Sequence, residues 1–333
     1  MKLICDIKPS YIISAVLSLV APIVIGRLAG HIELGLVASL AGLALINEVY
    51  EDLNPWQCFV NLEYAAIFST LAFMTGMALA GTTLFSLVMA PVVIFIVSTI
   101  GEINRQLIRN ASRFIVFMII GCHFETTSDN FRILAANFLL GAMWTSIALL
   151  MVKLLSKNKS AAAVNLKKYT AKQYLNHWIK SLAGFHGWQF PLRITLCMVV
   201  AQVIRYFVSD HHSYWILLTI ALVTQHNPDD QPTRIRDRGL GTLLGVSLSF
   251  FLAYFSIPVY LLILVVTVLA SLRVTFRETN YLLYAVVMTP LVIILLDFGS
   301  LSSVMVLFDR LVATLIGCAI SFVFGYWLFR KKI

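Results

Sequence analysis

Asp237-Arg238-Gly239-Leu240-Gly241-Thr242-Leu243-Leu244-Gly245, followed by Ser249-Phe250 and Tyr254, opens an apolar run that returns later in the chain. Seventy-two residues on, Asp309-Arg310, Thr314-Leu315, Gly317, Ser321-Phe322 and Tyr326 stand at the same internal spacing. Each copy is a charged pair leading an apolar stretch of membrane-crossing length, about 20 residues. Arg, Thr and Gly recur at i, i+4 and i+7, so they share one helix face. A repeated apolar helix with a polar face indicates a helical membrane protein built from copies of a smaller unit.

The composition agrees. Of 333 residues, 59% are hydrophobic and 12% charged, against about 25% charged in a soluble domain. Such a chain cannot coat soluble domains, and it is too apolar to be disordered. The expected fold is an all-α integral membrane protein. Spans are expected near 11–29, 33–50, 62–81, 83–101, 111–124, 134–155, 191–209, 212–226, 239–257, 258–275, 281–297 and 304–329. The fifth has the shortest apolar stretch and begins at Arg113. The first is read as a span, because Asp6 sits where a signal peptide would be basic and no small-residue cleavage site follows.

These spans group into a six-helix half at 1–155, a basic amphipathic linker at 156–190 and a second six-helix half at 191–333. With the N-terminus in the cytoplasm, 21 of the 25 Lys and Arg residues fall on that side. Both termini are then cytoplasmic. The net charge of +9 divides into +11 inside and −2 outside, so it records orientation and points to no nucleic-acid partner. In the linker, Ala171, Tyr174, Leu175, Trp178, Ile179 and Leu182 lie at helical spacing with lysines between them. That pattern suits a helix on anionic headgroups, or a docking site for a partner.

The repeat extends beyond the opening motif. Tyr214 and Thr219 have echoes in Tyr284 and Thr289, and Ser18–Ile25 resembles Ser86–Ile94 with one insertion. Copies three spans apart cross the bilayer in opposite directions, so each half is expected to be an inverted three-plus-three repeat, as in many secondary transporters.

Enzyme signatures are missing from the sequence: it has no H-E-x-x-H, C-x-x-C, Walker A or G-x-S-x-G pattern. We therefore expect no catalysis, no cofactor and no metal. The five scattered cysteines are read as packing residues. Arg238, Thr242 and Gly245, with Arg310, Thr314 and Gly317, read either as an anion-handling, gating face or as interfacial anchors on close-packed helices. Tyr214, Thr219 and Thr289 join that set, while Tyr214-Trp215 also fits an interfacial aromatic belt. Asp237 and Asp309 would neutralise the arginines beside them. Glu48 and Glu63, in or beside a loop rich in acids, are candidates for proton coupling or simply solvated groups. Arg105, Arg109 and Arg113 form a basic stripe that either anchors phosphate lipids or gathers an anionic substrate. Pro22, Pro91 and Thr289-Pro290 are places where a span could break and expose carbonyls.

His212-Ser213-Tyr214-Trp215-Ile216-Leu217-Leu218-Thr219, Gln225, Thr233-Arg234 and Arg238-Gly239-Leu240-Gly241-Thr242-Leu243-Leu244-Gly245 resemble the fusaric acid resistance and aromatic acid exporter superfamily. Asp309-Arg310 to Gly317 looks like its second, similar helix, and the specific likeness covers about residues 190–330. The resemblance implies a Gram-negative inner-membrane exporter of aromatic carboxylic acids or similar organic anions, driven by the proton motive force. It also implies a periplasmic membrane-fusion adaptor as partner. Plant relatives behave as anion channels, so a passive channel and a non-transporting subunit of an adaptor-linked system stay open as alternatives. The longer exporters carry a sizeable cytoplasmic domain where this chain has about 35 residues. The lipid bilayer and a small organic anion complete the expected partners, and a homo-oligomer is compatible with them.

Overall fold

The computed structural model describes residues 9–46, 54–80, 83–124, 128–155, 171–184, 186–208, 213–255, 258–296 and 304–330. Among these it contains helices and turns and no strand. α1 comprises Pro9–Ala15, a wider π-helical segment at Val16–Val20, and Ala21–Leu28. α2 (Ile32–Leu45), α3 (Pro55–Ala78), α4 (Leu84–Gly101), α5 (Arg105–Gly121) and α6 (Ser128–Leu155) follow. α7 (Ala171–Ala183) is the helix expected in the linker. Then come α8 (His186–Val208), α9 (Tyr214–Val223), α10 (Gln231–Tyr254), α11 (Val259–Thr279) and α12 (Tyr281–Leu296). α13 runs Val304–Ile320, continues as a π-helical segment Ser321–Tyr326 and closes with a 3₁₀ turn, Trp327–Phe329.

Every expected span falls on a helix. Six of them, α3, α4, α6, α8, α11 and α13, are long and apolar enough to cross a membrane, and α1, α2, α9 and α12 are shorter apolar helices. The protein is therefore a multi-pass membrane protein. Local chemistry explains several departures from the expected bounds. α5 starts at Arg105, six residues before the expected bound at 111, because the Asn104 side chain caps it by accepting from the Leu107 N–H at 2.8 Å. Pro91 and Pro290 do not break their helices: α4 and α12 run through them. At Pro22 the helix widens instead. Proline supplies no N–H to the Ser18 carbonyl four residues back and crowds it, and the turn relaxes to i−5 bonding, with the Ala21 N–H donating to the Val16 carbonyl.

The described helices form two compact units, each drawing on both sides of the linker. One, unit A, comprises 1–70, 128–165 and 241–307; the other, unit B, comprises 71–127, 166–240 and 308–333. In unit A, α1 packs on α2 and α11, α11 on α12, α12 on α2, and α2 on α6. In unit B, α4 packs on α5 and α8, α8 on α9, and α9 on α5, while α8 also meets the π-helical end of α13. α7 lies against α8, and its Trp178 Nε1–H donates to the Thr99 carbonyl at the end of α4 (3.0 Å). Leu175 and Ile179 of α7 remain exposed.

Each unit uses its π-helical segment as a source of backbone acceptors. In unit A, Ser39 Oγ donates to the Leu19 carbonyl at 2.5 Å and Trp144 Nε1 to the Leu17 carbonyl at 2.9 Å. In unit B, Gln231 Nε2 donates to the Ser321 carbonyl at 2.8 Å, and the Cys197 thiol approaches the Ile320 carbonyl at 3.9 Å. Side chains thus satisfy groups that the widened helix leaves without ordinary partners.

Candidate substrate site

The repeated Arg-Thr-Gly face is buried in both copies. Arg238, Thr242 and Gly245 are buried along α10, and Arg310, Thr314 and Gly317 along α13, whereas Leu240, Leu243, Leu244 and Leu315 point outward. The glycines explain why. A Cβ on Gly317 would lie 2.8 Å from Thr219 Cβ and 2.9 Å from the Ile216 carbonyl of α9. A Cβ on Gly245 would lie 2.7 Å from Thr289 Cβ and 2.8 Å from the Val286 carbonyl of α12. Only hydrogen fits at either contact, so backbones approach to within packing distance. Thr219 and Thr289, singled out in the sequence as echoes, are the residues met at these two crossings.

Arg310 is fully buried, and its guanidinium carbon lies 3.4 Å from the centroid of the Trp215 ring. Trp215 in turn lies 4.5 Å from Tyr214, and Tyr214 4.5 Å from His123 in the turn after α5. A buried cation on an indole face is worth about 2 kcal/mol or more once water is excluded. The Thr314 hydroxyl donates back to the Arg310 carbonyl at 2.8 Å, and that of Thr289 to the Ala285 carbonyl at 2.9 Å. Thr219 Oγ1 and Thr242 Oγ1 are buried with no hydrogen-bond partner among the described residues. Arg238 is 2% exposed, sits beside Cys318, and its Nε has no hydrogen-bond partner among the described residues.

The other expected residues are placed less centrally. Asp237 accepts from Arg236 Nε (3.1 Å) and Nη2 (2.9 Å), so its ion-pair partner is the exposed arginine before it. Asp309 is half-buried, as is Glu63 on α3. Glu48 and the side chain of Arg105 lie outside the described residues. Arg109 is exposed on α5, and Arg113 donates from Nη1 to Asn110 Oδ1 at 2.7 Å. The four described cysteines, Cys58, Cys122, Cys197 and Cys318, are buried and in thiol form.

Three further arginines, Arg193 and Arg205 of α8 and Arg273 of α11, are buried on helices, although the sequence counts them only with the charge of the two membrane faces. Arg193 of α8 is fully buried and donates from Nη2 to the Gln225 carbonyl. Arg273 of α11 is 2% exposed, with Nε 3.1 Å from Met288 Sδ, Nη2 3.5 Å from the Leu43 carbonyl and its guanidinium 5.9 Å from the Tyr284 ring centroid. The signal is in the sequence, since all three fall inside the expected spans at 191–209 and 258–275.

The family model described as "Fusaric acid resistance protein-like" matches residues 196–324, which include Trp215, both Arg-Thr-Gly faces and both threonines. Among curated proteins, Inner membrane protein YccS of Escherichia coli is 34% identical over 148 residues, 42% of this chain and 20% of its own length. An "Uncharacterized protein" of Haemophilus influenzae is 30% identical over 156 residues (47% and 21%), and YhfK of Escherichia coli 31% over 141 (42% and 20%). The match thus spans about a fifth of each relative. No solved structure matches the chain. The resemblance first carried by the Tyr-Trp and Gly-Thr-x-x-Gly residues is borne out over the C-terminal part of the chain.

Proposed function

We propose that this chain, whose residues 196–324 carry a fusaric acid resistance protein-like domain, is an inner-membrane exporter of aromatic carboxylic acids or similar organic anions, driven by the proton motive force. The observation that carries the reading is the buried Arg310 guanidinium over Trp215. It presents a permanent positive charge and a π surface together, the two features an aromatic carboxylate requires. An ionisable group held inside a membrane-spanning bundle is costly and is a functional-site hypothesis by default.

In this reading the twelve helices other than α7 all cross the bilayer, with both termini cytoplasmic, and each chain half is an inverted repeat. The packing within the units supports the repeat. Exchanging α1, α2, α11 and α12 for α4, α5, α8 and α9 converts the main pairings of unit A into those of unit B. The Gly245 contact with Thr289 and Val286 likewise converts into the Gly317 contact with Thr219 and Ile216. Arg238 and Arg310 then stand at opposite mouths of the path and attract the carboxylate. Arg105, Arg109 and Arg113 gather anions at the cytoplasmic entrance, while Asp237, Asp309, Glu48 and Glu63 are the carboxylates available for ion pairing or proton coupling. A periplasmic membrane-fusion adaptor is the proposed partner, and self-association in the bilayer is compatible with the outward apolar faces.

The test is efflux of labelled benzoate from proteoliposomes under an imposed proton gradient. Arg310→Gln and Arg238→Gln should each abolish it while the protein still inserts; export unchanged in both removes these residues from the mechanism. Benzoate flux that persists with the gradient collapsed identifies a passive channel instead. A correctly folded chain that moves no anion identifies a non-transporting subunit.

A further inference from the structure

α9 stops early. Its regular helix ends at Val223, and Thr224 and Asn227 are extended before the 3₁₀ turn Pro228–Asp230. At only ten residues, about 15 Å long, α9 leaves unwound backbone where a longer helix would carry on. Arg193 is aimed at this break. Its Nη2 donates to the Gln225 carbonyl, yet its Nε and Nη1 are buried with no hydrogen-bond partner among the described residues.

The surroundings are polar and drawn from three further helices. Thr224 Oγ1 lies 3.1 Å from Ser321 Oγ, and Gln231 Nε2 donates to the Ser321 carbonyl. Gly325 brings α13 against Gln231 and against Cys197, one turn along α8 from Arg193. The carboxylate at the end of α4, Glu102, is held by His226 at 2.6 Å, with Phe190 stacked on the His226 ring at 3.8 Å. Arg193 forms no ion pair among the described residues.

A cap for one carbonyl needs a single donor. A guanidinium always charged and buried with two unused nitrogens costs far more than such a cap returns, unless an anion completes it. We infer that Arg193, at the break after α9, is the centre of a second binding site, which takes a small carboxylate. The site is separate from the Arg310–Trp215 pair, and its central residue, Arg193, lies three residues before the stretch matched by the family model, which contains Thr224, Gln225, Gln231 and Ser321. It stands whether or not Arg310 contacts a transported anion.

The experiment is thermal unfolding of the full chain in detergent, titrated with sodium benzoate, with sodium chloride as the ionic-strength control and sodium sulfate as a second anion. The natural chain and Arg310→Gln should both gain about 3 °C in Tm near saturation. Arg193→Gln added to Arg310→Gln should remove that gain. Should the double variant fail to fold, Arg193→Lys alone keeps the charge and should need about tenfold more benzoate, the scale of a lost charged hydrogen bond. A benzoate response unaltered by either change at Arg193, no response in Arg310→Gln, or a response to sulfate alone overturns the assignment.

Discussion

The crossing of α10 with α12 in unit A and the crossing of α13 with α9 in unit B share a frame and differ in content. Both put a glycine against a threonine and a carbonyl three residues before it: Gly245 on Thr289 and Val286, Gly317 on Thr219 and Ile216. The divergence comes four residues before each threonine. Unit A has Ala285, and Gly241 closes on it so tightly that a Cβ there would come within 2.5 Å of the alanine Cβ. Unit B has Trp215, which receives the Arg310 guanidinium. One crossing is closed by backbone packing, and the other is opened to hold a charge against an aromatic face. A repeated scaffold therefore becomes a site through one large substitution on one copy.

The largest expected effect follows from that position. Trp215→Ala removes a fully buried indole and the surface on which Arg310 rests. Aromatic-to-alanine changes in cores cost about 3–5 kcal/mol, so thermal or denaturant unfolding in detergent should show a loss of that size. Ala285→Gly at the equivalent place should cost only about 1 kcal/mol, mainly helix propensity. Equal losses at the two positions would erase the distinction between a packing crossing and a charged one.

The shared frame predicts a middle-sized and symmetrical effect. Gly245→Ala and Gly317→Ala each force a methyl into contacts under 3 Å with backbone and a branched side chain. Each should destabilise by about 1–3 kcal/mol, the usual range for overpacking. The two glycines meet different residues, with no partner in common, so the double variant should equal the sum within about 0.5 kcal/mol. Strong non-additivity in the unfolding midpoints would show that the crossings are coupled and are not two copies of one device. Trp144→Phe, which deletes only the bond to the Leu17 carbonyl in the π-helical segment of α1, should cost about 1 kcal/mol.

Much of this frame could be read in the sequence, because apolar run length and the i, i+4, i+7 pattern are local properties. They place the described α-helices near their expected spans and single out Arg310 and Gly317, while the repeat adds Thr219 and Thr289. The pairing of Arg310 with Trp215 was not legible, since 95 residues separate them and periodicity carries no information about which helices meet. Trp215 was read as part of an interfacial belt, yet it is fully buried. The break after Val223 was missed for another reason. Thr224-Gln225 lacks the glycine or proline that usually marks a helix end, and what holds the opened backbone is a long-range donor, Arg193. Asp237 was matched to Arg238 by adjacency, but a residue on the far side, Arg236, reaches its carboxylate more easily from the exposed face.

The smallest expected effect concerns the entry to α5 and α2, helices that occupy equivalent places in the two sets of pairings. α2 carries the exposed Glu33 in its first turn, whereas α5 carries Arg109 in an exposed position and Arg113 one turn further on, bonded to Asn110. If basic charge on α5 serves to concentrate anions, its influence runs through solvent and not through packing. Arg109→Gln should then change stability by less than about 0.5 kcal/mol, as surface substitutions do. Benzoate export at low ionic strength should need about two- to threefold more substrate for half its maximal rate, with the maximal rate unchanged. That difference should fade as salt approaches about 1 M, where the Debye length falls to about 3 Å. Glu33→Gln, made on the equivalent helix of unit A, should leave the substrate dependence unmoved at every salt concentration. An equal shift from both substitutions would mean that net charge alone sets substrate capture, and that the basic stripe of α5 holds no special place in it.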